Sequence, residues 1–137
     1  MERLLLDTNI VLDFLQKREP YYEDAKSVFA MSLRKDVELY VADITFSNIA
    51  FICRKSIDPQ KLYDLFSLLR KYVEVIGADN GVIDMAISLK AADFEDAVQY
   101  CSAMKANADC ILTRNLKDFT FSLLPVYTAR EYLERRT

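Results

Sequence analysis

Short apolar runs alternate with amphipathic stretches from one end of this chain to the other, and no other feature narrows the fold as much. Arg3–Leu6, Val37–Val41, Val73–Ile76, Asp109–Thr113 and Pro125–Tyr127 read as strands. Between them the apolar residues recur at helical spacing. Strands separated by helices are joined by crossovers, so the sheet should be mainly parallel and covered on both faces, an α/β fold. A chain of 137 residues that is 52% hydrophobic can bury a full core, and we read it as a single domain over 1–137. Only two glycines and three prolines argue against disorder and against a many-turned all-β fold.

The helices have their own signals. Thr8–Gln16 places Ile10, Val11 and Phe14 on one face, and Pro20 is expected in the first turn of the next helix, with Ala25, Val28, Phe29 and Ser32 inward. Thr45–Lys55 carries Phe46, Ile49, Ala50 and Cys53 at core spacing and Phe51 and Ile52 on a second side. A helix apolar nearly all round is either core or a subunit contact, here a homodimer, with core the favoured reading for Phe51 and Ile52. Asp58-Pro59 is a cap and first helical residue, and Leu62, Leu65, Phe66 and Leu69 follow at core spacing. Asn80–Ala91 presents Ile83, Ala86 and Ile87, and the helix after Asp93 repeats Ala97, Cys101 and Met104. Thr128 and Glu131 form a capping box before the last helix.

Composition excludes several chemistries. There is no histidine, so Ser-His-Asp triads, histidine acid–base work and histidine metal sites are out. The three cysteines, Cys53, Cys101 and Cys110, have no zinc-site spacing and read as buried apolar residues in a reducing, cytoplasmic setting. No apolar run reaches the roughly 18–20 residues of a membrane span, and Met1-Glu2-Arg3-Leu4 lacks a signal-peptide pattern. Net charge is −3, whereas nucleic-acid binders are more often basic. Acids clustered around a cation would pull the total down. The cation pairs Lys17-Arg18, Arg34-Lys35, Arg54-Lys55, Arg70-Lys71 and Arg135-Arg136 read as solvated helix ends rather than phosphate clamps.

The remaining chemistry is carboxylate. Asp7 follows the first strand, Asp93 and Asp96 stand in D-F-E-D at a helix start, and Asp118 follows the fourth strand. Each has a local explanation: Asp7 and Asp93 as helix caps, Asp96 as a first-turn anion, Asp118 as a loop acid. Yet ligands of open parallel sheets bind beyond the carboxyl ends of the strands. Acids gathered there need a cation, and a site of hard oxygens points to Mg²⁺ or Mn²⁺. Thr113 and Asn115 are polar neighbours able to bond a carboxylate, Asn9 can tie the strand-end loops together, and Arg114 and Lys117 are candidates to meet phosphates. Asp13 is expected to face solvent and Asp43 to cap the helix near Thr45. Tyr21 and Tyr22 are possible base-stacking platforms, although half-buried tyrosines are the commoner case.

Three motifs, L-L-L-D-T-N-I-V-L-D, D-F-E-D-A-V-Q-Y and I-L-T-R-N-L-K-D-F, resemble in order and spacing those of the PIN-domain family, to which VapC-type toxins and related ribonucleases belong. The resemblance covers nearly the whole chain. It implies a three-layer α/β/α sandwich whose acids converge on Mg²⁺ or Mn²⁺, here Asp7, Asp96 and Asp118, with Thr113 and Asn115 beside them. It implies an endoribonuclease, with RNA as substrate and a small antitoxin protein as partner. One position departs: Asn48 stands where many members have a glutamate, which removes a charge. A PIN-fold domain that binds RNA or protein with little nuclease activity is therefore the alternative. A receiver domain is a poorer match, because no paired acids, central phosphoacceptor and late lysine fall at suitable strand ends.

Overall fold

The apolar runs that read as strands pair side by side in the computed structural model, which describes residues 1–137. In chain order the elements are β1 (Glu2–Leu6), α1 (Thr8–Leu15), α2 (Tyr22–Leu33), β2 (Val37–Ala42), α3 (Asp43–Cys53), α4 (Pro59–Leu69), β3 (Val73–Ile76), α5 (Asn80–Leu89), α6 (Phe94–Lys105), β4 (Cys110–Leu112), a 3₁₀ turn (Leu116–Phe119), β5 (Val126–Tyr127) and α7 (Ala129–Arg135). The five strands lie in the order β3-β2-β1-β4-β5, and every pairing is parallel.

β1 is the centre of the sheet, and its sequence shows why. Leu4, Leu5 and Leu6 are all fully buried, because alternate side chains of a strand point to opposite faces and both faces here are covered. Leu4 and Leu6 join a core with Val28, Phe29, Ile49, Leu69 and Tyr132, from α2, α3, α4 and α7. Leu5 joins a second core with Val82, Ala86, Ala97 and Cys101, from α5 and α6. This is the expected α/β/α arrangement. The strand order departs in both directions from β1, toward β2 and toward β4, so a crevice opens beyond the carboxyl ends of β1 and β4. Asp7 Nα–H donates to the Leu112 carbonyl at 2.9 Å, which closes the end of that pair.

Several expectations change. Asp13 is not at the surface: it is 0% exposed. Pro20 is not in the first turn of α2 but in the turn before it, and the Tyr21 carbonyl accepts the first helical bond from Ala25. Asp43 does not cap α3; β2 runs straight into the helix with extended Ala42 at the cap position, and Asp43 instead accepts from the Ala78 N–H at 3.2 Å. α5 stops short of Ala91 because Lys90 adopts a left-handed conformation, φ 51°. Ile87 is exposed while Ala86 is buried. Phe51 and Ile52 are exposed at 64% and 49%, so they are surface rather than core. The inner face of α3 is already supplied by Thr45, Ile49 and Cys53. All three cysteines are free and buried.

Candidate active site

The end of β1 delivers Asp7 into the crevice in an extended conformation, and the polar residues around it converge on its carboxylate. Oδ1 accepts from the Thr8 N–H at 2.7 Å and from Gln99 Nε2 at 2.8 Å. Oδ2 accepts from the Thr113 hydroxyl at 2.7 Å and from Asn9 Nδ2 at 3.1 Å. The donors come from α1, α6 and the end of β4, so the side chain is fixed from three sides. Burial nevertheless raises its pKa, against the pull of these bonds, and the charge of Asp118 adds to the rise.

The second group of acids is set by the start of α6. Asp93 caps the helix by accepting from the Asp96 N–H at 3.2 Å. Glu95 and Asp96 then fall in the first turn, where the helix dipole favours negative charge. That help is outweighed. Burial, then the charges of Asp93, Asp7, Asp118 and Glu95, push the Asp96 carboxyl up to about 7. Asp118 stands exposed in the 3₁₀ turn after β4, its N–H donated to the Asn115 carbonyl at 3.1 Å. Its charge reaches both Asp7 and Asp96. The three acids separated in sequence therefore share one electrostatic site.

No lysine or arginine balances them. The six ion pairs of the molecule engage Glu38, Asp36, Asp79, Asp13, Asp24 and Glu2, and none engages Asp7, Asp93, Glu95, Asp96 or Asp118. As the side chains stand, no three acids or cysteines form a ready cage for a metal ion. A hydrated Mg²⁺ asks for less, since it keeps several waters and takes one or two carboxylates. The donor set fits such an ion: it is all oxygen, it is uncompensated, and Gln99 Oε1 is buried there with no donor.

A sequence profile of the PIN domain matches residues 3–117. The chain belongs to the PIN-domain family. Its fold resembles that of VapBC-1 from nontypeable Haemophilus influenzae, with a TM-score of 0.71 and 19% identity over 93% of this chain and 98% of that one. It also resembles VapBC2 from Rickettsia felis, solved bound to a promoter DNA fragment, with a TM-score of 0.70 and 17% identity over 90% and 96%. A third likeness is to VapC20 of Mycobacterium tuberculosis, described as a Sarcin-Ricin loop cleaving toxin, with a TM-score of 0.63 and 10% identity over 79% and 86%. At these identities the likeness is one of fold. No curated protein matches the chain.

Within this PIN domain the polar neighbours take distinct places. Asn9 bridges the strand-end loops, its Oδ1 accepting from the Arg114 N–H at 3.1 Å while its amide serves Asp7. Thr113 holds Asp7 and also accepts from the Asn115 N–H at 3.1 Å, so Asn115 shapes the turn through its backbone. Lys117 is exposed beside Asp118 and free of any ion pair. Arg114 does not reach toward the acids. Its guanidinium lies over the Tyr21 ring at 4.3 Å, and Nε stands 2.9 Å from Asp13 Oδ2. The approach is off the hydrogen-bond axis, so the pair is held by charge. Asp13 can be buried because Arg114 closes over it, and Tyr21 is occupied by that arginine.

Three contributors escaped the sequence reading. Gln99, fully buried, donates to Asp7; Glu95 lies beside Asp7; Thr8 faces Glu95 and pairs with the Thr45 hydroxyl at 3.2 Å. Glu95 and Gln99 are one turn apart on α6, so they share a face. A glutamine among Ala97, Val98, Tyr100 and Cys101 was the available clue.

Proposed function

We propose that this PIN domain is a divalent-metal-dependent endoribonuclease, the toxin of a toxin–antitoxin pair. The observation that carries the reading is the convergence of Asp7, Asp96 and Asp118 beyond β1 and β4 with no cation to balance them. Asp7, Asp96 and Asp118 would hold Mg²⁺ or Mn²⁺, which when bound acidifies a water and offsets charge on a phosphate. Thr8, Asn9, Gln99 and Thr113 keep the Asp7 carboxylate in one orientation, so it needs no reorganisation on binding. Asp96, with its pKa near 7, gives up a proton when a cation arrives, so binding strengthens as pH rises through neutrality. Lys117 is the one exposed cation of the 3₁₀ turn and would meet the RNA backbone. Arg114 is withdrawn from that role by Asp13.

The toxin part of the reading is supported by the solved structures of like fold, which include the VapBC proteins, a toxin–antitoxin complex from Klebsiella pneumoniae and a Sarcin-Ricin loop cleaving toxin. No helix is long and apolar enough to cross a membrane. The exposed Phe51 and Ile52 are where a second copy of the chain would pack. A second reading, an RNA- or protein-binding PIN domain with weak or no nuclease activity, is favoured by Asn48 in place of an acid and by the absence of a ready metal cage.

Cleavage of structured RNA in Mg²⁺, in Mn²⁺ and in EDTA, with Asp7→Asn and Asp96→Asn beside the wild type, separates the two. Metal-dependent cleavage lost in both variants is expected. Cleavage that survives EDTA or both substitutions would overturn the metal–carboxylate reading, and RNA binding without cleavage would favour the second.

A further inference from the structure

We infer that Glu95 is a further carboxylate of the cation site, with Asn48 of α3 beside it. The inference rests on the metal-dependent reading above and adds a residue to it. Glu95 sits in the first turn of α6, half-buried, with Asp7 the strongest of its charged neighbours and Asp93 next. Thr8 from α1 and Asn48 from α3 turn polar side chains to its carboxylate. Gln99 lies between the two acids: Nε2 donates to Asp7 Oδ1 at 2.8 Å and stands 3.5 Å from Glu95 Oε1. One amide thus bridges two like charges, an arrangement that an isolated pair of carboxylates resists.

A further observation points to a cation site rather than to a self-contained network. Gln99 is fully buried and its Oε1 has no donor. A structural network closed on itself would not leave that atom idle, because buried polar atoms left unpaired cost free energy. None of the ion pairs involves Glu95. The wall between α1, α3 and α6 therefore has an oxygen without a donor and two adjacent carboxylates without a counter-charge. A hydrated divalent ion answers both, through its waters and its charge.

Asn48 lies close enough to Glu95 to act on its carboxylate, so a carboxylate at position 48 would stand near the one at position 95. The charge should be movable from one helix to the other. The test is Mn²⁺ binding by isothermal titration calorimetry on the full chain, with thermal unfolding in EDTA as a control for folding. Four proteins are compared: wild type, Glu95→Gln, Asn48→Glu with Glu95→Gln, and Asp7→Asn. The expected result is Mn²⁺ binding by the wild type, weakened about tenfold in Glu95→Gln because ligand charge sets cation affinity. Asn48→Glu should restore it to within about threefold in the double variant. Wild-type affinity in Glu95→Gln overturns the role of Glu95. A folded double variant that stays weak overturns the shared position of the two residues. No Mn²⁺ binding by the wild type overturns the cation reading of the whole site, and binding lost in Asp7→Asn but kept in Glu95→Gln overturns only the present inference.

Discussion

At the scale of the residue, the site is a study in how much neighbours matter to a carboxylate. Asp7 reads from the sequence as a helix cap, and it does accept the Thr8 N–H. Its other three donors, Asn9, Gln99 and Thr113, are what fix its direction. Thr113 is fully buried and has no water to fall back on. Thr113→Val keeps the shape of the side chain and removes the donor. It is expected to destabilise the protein by about 1–3 kcal/mol, as for a buried acceptor left short of a partner. Urea unfolding measures the loss, and Thr113→Ser should recover most of it. A Thr113→Val protein as stable as wild type would mean that the other three donors already suffice.

At the scale of the element, α1 and the end of β4 are fastened twice. Asn9 bonds the Arg114 backbone, and Asp13, one turn further along α1, pairs with the Arg114 guanidinium. The second fastening is a charge 1% exposed opposite one 30% exposed. Removing the outer partner leaves the inner one stranded, which for well-buried pairs is strongly destabilising. With Arg114 partly in water, Arg114→Ala should cost about 2–3 kcal/mol, and Asp13→Asn should cost less because it removes the stranded charge as well. Chemical denaturation of both variants gives the comparison, and equal losses would show that packing on Tyr21, not charge, does the fastening. This pair also marks where the sequence stops being legible. Strands were readable because a strand covered on both faces is an apolar run, as in Leu4-Leu5-Leu6. Helix starts were readable where a cap is local, as at Asp58 and Thr128. The burial of Asp13 depends on a partner far down the chain, and the exposure of Phe51 and Ile52 depends on which elements pack against α3. The same holds in the site: Asp7, Asp96 and Asp118 stand out by position, while Glu95 and Gln99 matter only because the first turns of α6 meet the end of β1 and the start of α1 across the crevice.

At the scale of the whole molecule, the crowded acids should invert the usual response to pH. Asp7, Glu95 and Asp96 all have raised pKa values in the folded chain, with Asp96 moved from 3.8 to about 7. A carboxyl that holds its proton more tightly when folded stabilises the fold while protonated. That contribution is complete below about 4 and is lost as pH rises through about 7. Metal-free protein in EDTA is therefore expected to unfold at a higher temperature near pH 5 than near pH 8, and Asp96→Asn to flatten the difference. A Tm that rises steadily from pH 5 to pH 8 in the wild type would contradict the electrostatic account. The same sheet order has a consequence in time. β1 is synthesised first and lies in the middle, so Asp7 leaves the ribosome long before Gln99, Thr113 and Asp118 exist to orient or join it. A nascent or truncated chain ending before α6 carries the central acid but none of these partners. The polar frame around Asp7 is therefore assembled only after α6 and β4 have joined β1, late in synthesis relative to the acid it orients.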